Sequence, residues 1–88
     1  MTTTIQDVLA FIAVVNARGF REAARVSGRS PSSLSDAVRR AEARLGVRLL
    51  NRTTRSVRPT EAGVRLMERL LPALGEVDAA LDVVQRLS

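Results

Sequence analysis

A helix with both of its ends written into the chain lies between Gly28 and Gly46, GRSPSSLSDAVRRAEARLG. Ser30 carries a hydroxyl that can accept from an orphan amide of a first helical turn, and Pro31 suits the first helical position, where no N–H is needed. Gly46 supplies the stop. Between them Leu34, Val38, Ala41 and Leu45 recur at intervals of four, three and four, which places them on one stripe and predicts a core face. At roughly 100° per residue the opposite face collects Ser32, Ser33, Asp36, Arg39, Arg40 and Ala43, short side chains first and cationic ones after. A helix of set length with one apolar stripe must pack against others, and the flanking chain has to supply them.

Upstream, Thr3 or Thr4 can cap a first helix in which Ile5, Val8, Phe11, Ile12 and Val15 share a face. Leu9 and Val14 widen that face, and so broad an apolar surface implies more than one packing partner. Gly19 breaks this helix, and Phe20 to Val26 forms a short second one, ended by Gly28, whose Ala23 and Ala24 let a neighbouring helix approach closely. Two helices joined at a glycine, the second with a polar, small-residue N-terminal half, make a helix-turn-helix pattern.

After Gly46 the period changes. Val47 and Leu49, then Val57, fit two short strands around Arg52-Thr53-Thr54-Arg55, with Arg48 and Arg58 beside them, and a basic hairpin in that place is a wing. Pro59 and Thr60 close the hairpin and open a last helix, with Glu61 complementing the dipole in its first turn. Met67, Leu70, Leu74, Val77, Leu81 and Val84 repeat at three, four, three, four and three, a heptad seam, and Leu66, Ala73, Ala80 and Leu87 run parallel to it. A helix of ~28 residues is about 42 Å long and outruns the small domain before it, so its far half needs a partner. Pro72 would kink such a helix. Because the heptad phase crosses Pro72 without slipping, one bent helix is predicted instead of two.

The 88 residues suffice for one small domain and no second independent one. No cysteine or histidine is present, which removes disulfides and the usual zinc ligands, and no cofactor is expected. The longest apolar run, Val8 to Val15, is far short of the ~20 residues of a membrane helix, and Asp7 precedes it where a signal peptide would be positive. A soluble, cytoplasmic protein with no membrane partner is predicted. Enzymatic chemistry is not, since no histidine, cysteine or Gly-rich phosphate loop is present and the carboxylates are scattered without forming a constellation.

The net charge is +5, and its distribution is more informative than its total. Residues 1–17 carry Asp7 alone, whereas Arg18 to Arg58 holds 11 arginines against Glu22, Asp36 and Glu42. Residues 59–88 return to three arginines against five acids. A basic middle between segments with another job is the footprint of a polyanion-binding surface. The use of arginine to the exclusion of lysine reads as either suited to phosphate and guanine edges or a by-product of a GC-rich genome.

The segment from Ala23 to Gly63 also resembles the DNA-binding segment of LysR-type transcriptional regulators. The landmarks are Ala23-Ala24, Ser30-Pro31-Ser32, Leu34-Ser35, Ala41-Glu42-x-x-Leu45-Gly46, Leu50-x-Arg52 and Thr60-Glu61-Ala62-Gly63, and the likeness extends over essentially the whole chain. The resemblance implies a mainly α, winged helix-turn-helix domain at 1–58 (three helices and a two-stranded wing) and a long linker and dimerisation helix at 59–88 in the same structural unit. It implies a homodimer bound to a double-stranded DNA operator. In such regulators the recognition helix enters the major groove, which here points to Pro31, Ser32, Ser33, Ser35, Asp36 and Arg39. Ser30, Arg40 and Arg52 fall to the DNA backbone, and Arg55 and Arg58 to the wing at the minor groove. The heptad residues Met67, Leu70, Leu74, Val77, Leu81 and Val84 become the dimer interface.

Some positions depart from the family pattern. Pro31 stands where many members have Gln and Asp36 where many have Arg. Ser27 and Ala41 replace frequent leucines, Leu50 a frequent phenylalanine, and Arg21 a usual Ser or Thr cap, so a lean core and a poorly capped second helix are expected. Full-length relatives carry a C-terminal effector-binding domain. The end at Ser88, near the expected end of the linker helix, reads as an excised DNA-binding fragment with no small-molecule effector.

Several residues support two readings. Ser32 and Ser33 are first-turn serines or groove-approaching ones. Asp36 either accepts from a cytosine amino group or tethers Arg40 four residues on, or does neither. Arg39 and Arg40 form a solvated face or flank phosphates. The heptad stripe is a dimer seam or intramolecular core, and Leu74→Asp is expected to yield monomers if it is the seam. The competing functions are an oligomerisation module and a non-specific nucleic-acid binder. Recognition of RNA or single strands is disfavoured, because Phe11 and Phe20 are the only aromatics and offer no stacking platform.

Overall fold

The computed structural model describes residues 5–53 and 55–87. Its elements in order are α1 (Ile5–Ala17), α2 (Phe20–Ser27), α3 (Pro31–Leu45), β1 (Leu50–Arg52), β2 (Val57–Pro59) and α4 (Glu61–Arg86). The threonine cap expected for α1 lies outside the described residues. Helices α1, α2 and α3 pack on one another, and β2 lies against both α1 and α4. This is a mainly helical winged helix-turn-helix with a long C-terminal helix, as the periodicities predict.

The ends of α3 follow the local chemistry. Ser30 is its N-cap, with Oγ accepting from the Ser33 amide at 3.1 Å, and Pro31 opens the first turn. Gly46 closes it at φ 75°, a left-handed conformation that costs a residue with a Cβ about 1 to 2 kcal/mol. Helix α1 ends otherwise. Arg18, and not Gly19, takes the left-handed conformation (φ 63°), while the Arg18 and Gly19 amides bond back to the Val15 and Val14 carbonyls. Gly19 is the N-cap of α2 and has no side chain to accept from its first turn, so the poor capping expected there is present.

The core is built from Phe11 and Val14 of α1, Ala23 of α2, Leu34, Ala37, Val38 and Ala41 of α3, and Leu49 and Leu50 beyond it. Two expectations are corrected. Leu45, the last residue of α3, is exposed, while Ala37, outside the predicted stripe, is fully buried. On α1, Ile5 and Leu9 are exposed while Val14, read as a flank, is fully buried.

The hairpin also begins later than its hydrophobic pattern suggests. Val47 is exposed and Leu49 is buried without belonging to a strand; pairing runs Leu50 with Pro59, Asn51 with Arg58 and Arg52 with Val57. The cause is Glu42 of α3. Its Oε2 accepts from the Leu49 amide at 2.8 Å and the Leu50 amide at 3.2 Å, so α3 and not a facing strand takes these two amides. Replacing Glu42 with Ala would leave two part-buried amides without an acceptor, at about 1 to 3 kcal/mol for such a group. A fall in Tm of about 10 °C is expected by thermal denaturation, with Glu42→Gln, which keeps an acceptor oxygen, in between. An unchanged Tm for Glu42→Ala would reject the assignment.

Thr60 caps α4 in two directions. Its Oγ1 accepts from the Gly63 amide at 3.0 Å and donates to the Arg48 carbonyl at 2.6 Å. The helix is then uninterrupted across Pro72, as the heptad phase requires. Leu66, Met67, Leu70 and Leu74 are partly buried against the core of their own domain, while Val77, Leu81 and Val84 are 50, 60 and 65 % exposed. The predicted seam therefore divides, its first half inside the domain and its second half in the open. Among the described residues no helix is long and apolar enough to cross a membrane.

Candidate nucleic-acid interface

The N-terminal turn of α3 presents Pro31, Ser32, Asp36 and Arg39 at the surface, with Ser33 and Ser35 half-buried. The serines are linked among themselves and to the preceding turn. Ser30 and Ser32 hydroxyls lie 3.3 Å apart, and Arg29 donates to Ser33 Oγ through Nη2 at 2.8 Å and Nε at 3.2 Å. Arg29 was not singled out by sequence reasoning. Its signal is the four-residue spacing to Ser33 across the turn, which became readable only once the turn was formed.

Arg40 and Arg52 both make contacts within the domain. Arg40 is not tethered by Asp36. It reaches across to α1 and pairs with Asp7, Nη2 to Oδ1 at 3.0 Å. Asp7 is buried and needs a counter-charge, whereas Asp36 is exposed and does not. The signal for this pair was a lone acid within an apolar helix face. Arg52, assigned to the DNA backbone, turns inward: its Nη1 donates to Ser35 Oγ at 2.8 Å and its guanidinium carbon sits 4.6 Å from the centroid of the Phe20 ring. Burial there pushes its pKa below the usual arginine range; the nearby Glu42 carboxylate opposes this, and the Arg39 and Arg48 cations add to it. The aromatic face and the serine oxygen outweigh solvation for a planar, weakly hydrated guanidinium.

The wing arginines remain outside. Thr53 organises the turn, its Oγ1 accepting from the Arg55 and Ser56 amides at 3.2 and 2.9 Å. Arg55 and Arg58 are exposed and, with Arg18 at the end of α1, line one shallow basic concavity beside Val15 and Val57. The hydroxyl-bearing start of α3 and the cationic hairpin are joined through the bond from Arg52 to Ser35. The six heptad residues assigned to an interface lie on α4, away from that hairpin in sequence, with the division of burial described above.

A helix-turn-helix carrying a basic wing and followed by a long helix defines a winged-helix module of the regulatory class. Residues 5–64 match the family described as "Bacterial regulatory helix-turn-helix protein, lysR family", and the chain belongs to that family. It is 51 % identical over 77 residues to the HTH-type transcriptional regulator PgrR of Escherichia coli K12, covering 88 % of this chain and 26 % of that protein. It is 42 % identical over 83 residues to the HTH-type transcriptional regulator PtxR of Pseudomonas aeruginosa, covering 94 % and 27 %. The chain thus spans about a quarter of the length of the curated relatives it matches. Among solved structures it is similar to the BenM DBD in its catB site 1 DNA complex (TM-score 0.86, 27 % identity, 96 % of this chain and 90 % of that one). It is likewise similar to oxidized OxyR of Corynebacterium glutamicum (TM-score 0.83, 31 % identity, 92 % and 25 %).

Proposed function

We propose that the chain binds double-stranded DNA sequence-selectively as a homodimer, and so acts as the operator-reading part of a bacterial transcriptional regulator in the cytoplasm. The observation that carries this reading is an exposed, small-residue start of α3 bonded through Ser35 to Arg52 of a hairpin whose Arg55 and Arg58 are exposed. Its similarity to a DBD solved on DNA supports it. In this reading residues 1–58 bind DNA and 59–88 form the linker and dimerisation helix. Pro31, Ser32, Ser33, Ser35, Asp36 and Arg39 enter the major groove, Ser30 lies near the backbone, and Arg55 and Arg58 reach the minor groove and its phosphates. Arg40 contributes less than the other arginines, because Asp7 already neutralises it. Arg52 acts from within the domain.

Electrophoretic mobility against duplex DNA, single-stranded DNA and RNA separates this reading from non-specific nucleic-acid binding and from a pure oligomerisation module. A preference for duplex is expected, and selection from a random duplex pool should return a two-fold symmetric sequence. If each protomer neutralises ~4 to 6 phosphates, log K should fall by about 0.9 per phosphate with log salt, and Arg55→Ala should lower that slope by about one phosphate. A flat salt response would overturn the electrostatic part.

A further inference from the structure

Arg52 sits where three elements converge. It belongs to β1, its Nη1 bonds to Ser35 of α3, and its guanidinium lies over Phe20 at the start of α2. Its Nη2 is buried and has no hydrogen-bond partner among the described residues. A long, flexible cation on a surface hairpin could turn to water, yet the ring face and the serine oxygen keep it inside.

The consequence falls on Ser35. A serine hydroxyl has one proton to donate and two lone pairs. Arg52 occupies one lone pair at 2.8 Å, so it constrains where the oxygen can point and leaves the hydroxyl proton to be donated elsewhere. Acceptors that such a donor can read in the major groove are N7 and O6 of guanine, N7 of adenine and O4 of thymine.

We infer that Arg52 is a positioning residue for sequence reading: by binding Ser35 across from β1 it orients that hydroxyl as a donor to a base edge and holds the wing at a set angle to the recognition helix. The inference rests on the DNA-binding reading above. It differs from a phosphate contact by Arg52, which would act on every sequence alike.

The test uses two duplexes, the sequence recovered by the unaltered chain from a random pool and a scrambled duplex of the same composition. The unaltered chain should prefer the first; a chain without that preference overturns the DNA reading, and this inference with it. Given the preference, Arg52→Met, which keeps an apolar stem on Phe20, should lower the ratio of the two affinities about tenfold with the salt slope unchanged. Ser35→Ala should lose a similar factor, and the double variant should be no worse than the larger single loss. Arg52→Lys keeps the charge without the planar fork and should also lose selectivity, which provides a folded variant if Met is not tolerated. The inference is overturned if selectivity survives while the salt slope falls by about 0.9, if the single losses multiply in the double variant, or if Tm falls with the affinity ratio intact.

Discussion

Replacing Gly63 with alanine is expected to cost the domain about 3 kcal/mol, equivalent to a Tm lowered by roughly 15 °C. A Cβ at this position would run into the Leu49 carbonyl oxygen and come within 3.0 and 3.3 Å of two carbons of the Phe11 ring. Neither neighbour can yield. Leu49 O accepts from the Thr60 amide at 2.9 Å, and Phe11 is fully buried in the centre of the core. Helix α4 would have to lift from the domain, which would also disturb the Thr60 bonds to Gly63 and Arg48. The same substitution at Gly75 offers an internal control, because nothing lies within 4 Å of a Cβ there. Gly75→Ala is expected to raise stability by about 0.5 to 1 kcal/mol through helix propensity and lost unfolded-state entropy. Thermal denaturation of both variants decides the matter, and equal responses would reject the close approach at Gly63.

Leu81→Asp should convert the proposed dimer into monomers of 9.6 kDa by sedimentation and weaken binding to a two-site duplex by about 100-fold or more, the loss expected when avidity is removed. The position matters. Leu74, the natural first choice from the heptad pattern, packs against the core of its own domain, so Leu74→Asp would damage the fold as well as any interface. Val77, Leu81 and Val84 form an apolar row over the last turns of α4 that the described residues leave exposed, and a second copy of the same row is self-complementary about a two-fold axis. Leu81→Asp places a charge in the middle of that row while leaving the core untouched. A variant that remains dimeric would reject the seam.

Much of this architecture was legible from residues that act on their immediate neighbours in the chain. The start of α3 at Ser30 and Pro31, its end at Gly46, the start of α4 at Thr60 and the continuity of α4 through Pro72 all depend on hydrogen bonds or periodicities spanning a few residues. The landmarks from Ala23 to Gly63 carried the family resemblance that the match over residues 5–64 bears out. Less legible was the direction of long side chains. The sequence offered Asp36 as a partner for Arg40 at helical spacing, but Asp7 is the partner, 33 residues away and buried between helices. Arg52 read as a wing cation like Arg55, and nothing nearby in the chain indicates that Phe20 and Ser35 draw it inward.

What the amino-acid sequence determined by itself was therefore the set of elements, their ends and the placing of positive charge in the middle of the chain, because caps, breakers and hydrophobic periods need no partner beyond the next turn. Tertiary structure alone decided which of the arginines face solvent, where β1 begins beside Glu42, and which half of the heptad stripe is left uncovered. Those outcomes depend on competition between water and partners brought together only when α1, α3 and the hairpin have packed.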